Sequence, residues 1–230
     1  KKNQPVILPK KGEFISFTNN LVIKYSSNKN FIKRRVKRSK LLENFVPKIQ
    51  NYSENFYTYR YIDGRIMSKN LTLKKFKNLL NFLKKFWKIN KNINKKMFYS
   101  KCKSFYKDKT FLRIKNFYLK NNLKDDENFI NKVKVKKLNQ IIKKIDWNWL
   151  CKGIPVRFHG DLHFENIIIK KKTFTFLDWR QDFQNDLNNG DMYYDLAKLM
   201  HGLIVDHNQV HQNKYKIVKD GKKIIYQIDQ

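Results

Sequence analysis

The sequence predicts an α+β chain in two lobes, a small β-rich N-terminal lobe and a larger, mostly helical C-terminal lobe. Three observations carry this. Apolar, β-rich runs with turn signals fill residues 13–64, and apolar residues then recur at helical three- and four-residue steps. Strand character returns inside "FHGDLHFENIIIKKKTFTFLDWRQDF", residues 158–183, where four acids gather in a chain that has 51 basic residues and only 19 acidic ones. The expected boundaries are residues 1–58 for the first lobe, a connector at 59–64, and residues 65–230 for the second.

Taken in order, "EFISFTNNLVIKY" (13–25) reads as a hairpin around Thr18-Asn19-Asn20. Residues 29–45 read as a basic helix closed by Pro47. "FYTYRYIDG" (56–64) reads as a strand ending in an Asp63-Gly64 turn. Phe76, Leu79, Leu80, Leu83 and Trp87 then form one apolar stripe, the core face of a helix. Further helices are expected over 97–120, 126–146 and 191–204, with short strands at 155–158 and in the acid-rich segment. In the tail, Asp220-Gly221 between apolar runs signals another hairpin, and there is no internal repeat.

Composition sets the outer limits. With 41% hydrophobic residues the chain can fill a core, which excludes a disordered segment. The formal net charge of +32 favours anionic ligands such as nucleotides. Lys, Asn, Ile, Phe and Tyr are all inflated together and the lysines are scattered, so compositional drift explains the charge better than a dedicated nucleic-acid surface. No apolar run approaches the roughly 18 residues of a bilayer span. Cys102 and Cys151 lack metal-ligand spacing, which fits a reducing cytosol, and no signal peptide is read; the expectation is a cytoplasmic protein.

The acids carry the chemistry. If Ile167 pairs with Leu177 across a three-residue loop, Lys171 to Thr173, Asn166 faces Asp178 at the open end of the ribbon. Two hard oxygen donors at a partly open site suit Mg²⁺, which takes its other ligands from water and phosphate. Asp161 is placed to accept a proton from an attacking hydroxyl, and His159 to hold the loop. The spacing His-x-Asp-x-x-x-x-Asn followed by an Asp at a strand end is the catalytic-loop arrangement of phosphoryl-transfer enzymes. Alone, each residue has an ordinary structural explanation as a cap or turn; together they favour catalysis.

The wording "HGDLHFEN", then "FLDW", then "GDMYYDLA" at 190–197, resembles the aminoglycoside phosphotransferase and choline kinase-like family. The resemblance spans roughly residues 14–205 and is specific only over 158–197. It implies a protein-kinase-like fold and an ATP- and Mg²⁺-dependent phosphotransferase acting on a hydroxyl of a small molecule: an amino alcohol, a sugar or an aminoglycoside. The "DWRQDF…GDMYYDLAKLMHGL" wording leans toward a surface-polysaccharide precursor. By resemblance, Asp161 and His159 are the catalytic-loop pair, with His159 mainly a loop-holder. Asn166 and Asp178 are the metal ligands, Lys24 of "LVIKY" anchors the phosphates with Glu43 as its partner, and the hinge backbone around Tyr59 and Ile62 reads adenine. Asp191 and Asp195 brace the catalytic loop. His163 is equally a substrate contact or a packing residue, Asp182 is ambiguous, and His207 and His211 are solvated surface.

One departure stands out. The first 60 residues contain a single glycine, Gly12, where a Gly-rich phosphate loop is expected. Either Ser, Asn and backbone groups serve instead, or the loop and a first strand lie before Lys1. The competing functional class is a non-catalytic kinase-fold module that binds nucleic acid or anionic lipid through its basic surface. It gives no reason for Asp161, Asn166 and Asp178 to occur together.

Overall fold

In a computed structural model of the 230-residue chain, residues 6–18, 20–205, 212–221 and 223–228 are described. His207 and His211, and Asn19 of the first expected turn, lie outside them. The chain divides into two compact units, residues 1–94 with 154–201, and residues 95–153 with 202–230.

The first unit begins with β1 (Val6–Lys10), β2 (Glu13–Thr18) and β3 (Leu21–Ser26), followed by helix α1 (Lys29–Leu42) and then β4 (Ile49–Tyr52) and β5 (Phe56–Arg60). The strands form one antiparallel sheet in the order β1-β2-β3-β5-β4. A strand thus precedes the predicted hairpin, and its link to β2 is a tight turn at Lys11-Gly12. Gly12 has φ +71°, and its carbonyl accepts from Ser27 N at 2.9 Å. In β3 the buried positions alternate as Val22, Lys24 and Ser26. The period of two therefore puts a lysine on the face that carries the core. Asn28 caps α1 by accepting from Phe31 N at 3.1 Å, and the helix buries Ile32, Val36 and Leu42 together with Arg38 and Ser39.

After the connector come β6 (Arg65–Ile66) and α2 (Leu73–Phe86), whose buried stripe is Leu79, Leu83 and Phe86. The cores of sheet, helices and acid-rich segment form one cluster that includes Val22, Ile32, Leu79, Leu83, Phe164, Phe176, Trp179 and Leu199. Gly64 sits hard against a neighbouring strand. A Cβ there would lie 2.4 Å from Ile168 Cγ2 and 3.0 Å from the Ile169 carbonyl, so no larger residue fits without displacing backbone.

In the second unit, α3 (Lys95–Lys103) runs through a π turn at Ser104–Asp108 into α4 (Lys109–Lys120). The helix expected over 126–146 is corrected: its first part is a hairpin, β7 (Asn128–Ile130) and β8 (Val133–Val135), and only α5 (Leu138–Lys143) is helical, followed by α6 (Trp147–Leu150). Phe129 and Val133 are four apart and so fit a helix, but Asn131 and Lys132 take positive φ and turn the chain back.

The first unit resumes with β9 (Pro155–Val156), β10 (Ile167–Lys170), β11 (Thr173–Phe176) and β12 (Gly190–Asp191), then α7 (Met192–Ile204), which continues into the second unit. β6 and β11 flank β10, and β12 pairs with β9. The tail forms the hairpin β13 (Tyr215–Asp220) and β14 (Lys223–Ile228), and β14 joins β7 in parallel. Among the described residues no helix is long and apolar enough to cross a membrane.

Candidate active site

The acid-rich ribbon differs from its expected register by one residue. Ile167 pairs with Phe176 and Lys170 with Thr173, closing a two-residue turn in which Lys171 adopts φ +55°. Lysine at positive φ gives no turn signal of the Asn or Gly kind, so the sequence favoured a longer loop. Leu177 N now donates to Asn166 O at 2.7 Å, so Asn166 lies opposite Leu177 and not Asp178. Asp178 follows in the left-handed region at φ +55°. Both residues nevertheless line one cavity of about 360 Å³, which Lys24 and Asp161 also line. Its roof is the β1–β2 hairpin, through Leu8, Pro9, Lys10, Glu13, Phe14 and Ile15.

Asp161 sits in the loop between β9 and β10. Its Oδ1 lies 3.0 Å from Lys198 Nζ on α7 and 3.3 Å from His163 Nε2. Burial pushes its carboxyl up, but the His163 hydrogen bond and the Lys198 ammonium outweigh that and hold it well below the usual carboxylate range. Asp161 is thus ionised and can accept a proton. Asn166 donates from Nδ2 to Asp161 O at 2.9 Å, which leaves Oδ1 as that amide's remaining acceptor.

His159 is fully buried, and both ring nitrogens are committed to backbone. Asp161 N donates to Nδ1 at 3.2 Å, so the ring proton is on Nε2, which donates to Leu177 O at 2.8 Å. Burial, and then Arg38, push the imidazole down to about 3, keeping it neutral. Placed this way the ring holds the loop. Asp195 completes the brace. Its carboxylate accepts from His159 N at 2.8 Å, Gly160 N at 2.7 Å and Trp87 Nε1 at 3.0 Å, while burial raises its pKa to about 6. Asp191 accepts from Ile154 N at 2.8 Å, and Asp182 from Arg34 Nη1 at 2.8 Å; both are internal ties.

The expected Lys24–Glu43 pair is not formed. Lys24 Nζ contacts Asp178 Oδ1, and Glu43 lies past the end of α1 at φ +52° with its carboxylate 3.5 Å from Arg157 Nη1. The reason is position: α1 meets the cavity at Arg35, and a residue eight further along a helix would be about 12 Å away. Burial, and then the charge of Arg35, push the Lys24 ammonium well down from its usual value. Tyr59 and Ile62 do not line the cavity; the Tyr59 side chain is buried in the core, stacked near Tyr57.

Three basic residues that the sequence did not single out organise the site. Arg35 Nη1 is 3.2 Å from Asp178 Oδ1. Arg38, fully buried, donates from Nε to Leu187 O at 3.0 Å, from Nη1 to Arg180 O and, at 3.5 Å, to His159 O, and from Nη2 to Phe158 O. Lys198 meets Asp161. In a chain with 51 basic residues nothing local marks these three. Beside Asp178, Trp179 is buried at 1% exposure, donates from Nε1 to Arg35 O at 3.0 Å, and packs 5.9 Å from Tyr57.

The donor chemistry suits Mg²⁺. Asn166 and Asp178 offer hard oxygen atoms at one cavity, and among the described residues no group of three or more His, Cys, Asp or Glu gathers into a self-sufficient metal site. Mg²⁺ takes its remaining ligands from phosphate and water.

A family model described as "phosphotransferase enzyme family" matches residues 46–217. The chain belongs to that family. Among solved structures, this phosphotransferase is similar to APH(2")-IIa in a streptomycin–ATP ternary complex, at 22% identity and TM-score 0.57, covering 84% of this chain and 70% of the other. It is also similar to APH(2")-IIa in a gentamicin complex, at 20% identity and TM-score 0.53, covering 84% and 68%. A choline/ethanolamine kinase family protein from Mesorhizobium loti matches at 11% identity and TM-score 0.41, covering 90% and 66%. No curated protein matches by sequence. The fold of this phosphotransferase is accordingly kinase-like, with a β-rich N-terminal lobe and a larger, mostly helical C-terminal lobe.

Proposed function

We propose that this phosphotransferase uses ATP and Mg²⁺ to phosphorylate a hydroxyl of a small molecule. The observation that carries the reading is that Lys24, far away in sequence, lines one cavity with Asp161, Asn166 and Asp178 under the β1–β2 hairpin. Residues 1–58 hold the nucleotide, 59–64 form the hinge whose backbone at Tyr59 to Ile62 reads adenine, and 65–230 carry the catalytic loop. Lys24 holds the nonreacting phosphates, and the hairpin with its lone Gly12 covers them with backbone groups. Asp161 orients the acceptor hydroxyl and takes its proton, and His159 fixes the loop that presents it. Asn166 and Asp178 would hold Mg²⁺, which neutralises phosphate charge when bound.

Asp161 is touched by the Lys198 ammonium and the His163 imidazole. They disfavour a polycationic acceptor at the reacting end and support a sugar or polyol such as a surface-polysaccharide precursor. The reaction belongs in the cytosol, which supplies ATP. The test is purified protein with Mg-ATP against a panel of sugars, polyols, amino alcohols and aminoglycosides, followed by ADP release. Turnover with one class, and its reduction by roughly 10²–10⁴ in Asp161→Asn, is expected. Wild-type turnover in that variant defeats the base assignment.

A further inference from the structure

We infer that Arg35 is a second phosphate-anchoring cation of this site, acting beside Lys24 in the place the sequence had assigned to a carboxylate; the inference rests on the nucleotide reading above. Three observations lead to it. First, Arg35 lines the cavity, its side chain only 13% exposed, and its Nη1 meets the same Asp178 oxygen that Lys24 contacts. Two cations therefore share one carboxylate. Of the other acids on the cavity wall, Glu13 pairs with Lys10 at 3.8 Å and Asp161 with Lys198 at 3.0 Å.

Second, the guanidinium is under-satisfied. Beyond Asp178 it reaches Tyr57 Oη at a long 3.4 Å, and its buried Nε has no hydrogen-bond partner. A guanidinium offers five donors in a planar fork that phosphate oxygens match. A buried donor without an acceptor is costly, and a phosphate in the cavity would supply what this guanidinium lacks.

Third, the charges do not balance once Asp178 is engaged elsewhere. With Asp178 turned to a metal ion, Lys24 and Arg35 would face each other across a poorly solvated cavity. Like charges there repel strongly, and only a multiply charged anion between them relieves it. The chemical class that fits is a polyphosphate chain, the part of a nucleoside triphosphate carrying several anionic oxygens. A carboxylate at this helix position would instead neutralise Lys24 and leave one cation for the phosphates.

The test is calorimetric binding of three ligands in the presence of Mg²⁺: ATP, inorganic tripolyphosphate and adenosine. Arg35→Met should weaken ATP and tripolyphosphate by about tenfold or more and leave adenosine unchanged. Arg35→Lys keeps the charge without the fork and serves if the Met variant fails to fold. In it, a loss of about threefold or more confined to the phosphate-bearing ligands supports the proposal, and unchanged affinities overturn it. Equal weakening of all three ligands in Arg35→Met means Arg35 only supports the fold and overturns it. Unchanged or tighter ATP binding means Arg35 merely competes for Asp178, which also overturns it. Wild-type protein that binds none of the three ligands removes the nucleotide reading itself, whereas wild-type binding matched by both variants removes only the role of Arg35.

Discussion

Replacing Arg38 with methionine should cost this protein about 3–5 kcal/mol of folding stability, the range for breaking a buried, fully engaged charge. Arg38 is fully buried in α1, and its guanidinium donates to carbonyls of Phe158, His159, Arg180 and Leu187, at the loop that carries Asp161 and in the segment after Asp178. Methionine matches the length and none of the donors. Each well-formed bond lost leaves a desolvated carbonyl, at about 1–3 kcal/mol apiece, and the 3.5 Å contact to His159 counts least. The guanidinium also lies 4.1 Å over the Phe158 ring, a stacking worth about 1–2 kcal/mol in a dry setting. Relief from burying the charge offsets part of the total. Urea denaturation followed by circular dichroism reads the difference, and the melting temperature should drop by roughly 10 °C. Lysine should recover little, because its three donors radiate from one atom and cannot span the carbonyls that the planar fork reaches. A loss below about 1 kcal/mol in Arg38→Met would show that water replaces the guanidinium and that the tie is dispensable.

Two further outcomes concern pH and one concerns backbone. His159 is held neutral near 3 when folded and titrates near ~6.5 when unfolded, so its contribution is complete above that value and drains away as pH falls. Asp195, raised to about 6, works oppositely, because its folded form takes up a proton first as pH falls. The clean readout is thus the stability gap between wild type and His159→Gln, which should shrink by about 2 kcal/mol between pH 7.5 and pH 5; a constant gap contradicts a buried neutral ring. Lys198→Met removes one of the groups depressing Asp161, so the acid limb of the pH–kcat/KM profile should move to higher pH, and an unmoved limb denies that coupling. Gly160→Ala should lose about 3 kcal/mol in the same urea assay, since Gly160 has φ +88° and a Cβ would lie 2.5 Å from Arg180 Cβ and 2.7 Å from Phe158 Cε2.

Much of the site could be read from the residues because it is local. His159, Asp161 and Asn166 fall within eight positions, and Asp178 lies one short ribbon away, so spacing alone brings them together. Lys24 was legible because an alternating strand places it among buried neighbours. What escaped was non-local or chemically silent. The ribbon register turned on a lysine accepting positive φ, which composition does not advertise. Glu43 is the sole acid between Glu13 and Glu54, yet the helix presents Arg35 to the cavity, and a cation in so basic a chain carries no signal. Arg38 and Lys198 reach acceptors well over thirty residues away in sequence, and only the packed core says which lysine or arginine is which. The 126–146 segment was misjudged because an apolar step of four serves both a helix and a tight hairpin.

Trp179 has a consequence for how such an enzyme is governed. The indole next to Asp178 is wedged in the interior and tethered to the main chain of α1, so the backbone at this acid is held in place. Any switch that moved Asp178 by flipping its segment would first have to pull this indole from the core and break its bond to Arg35 O.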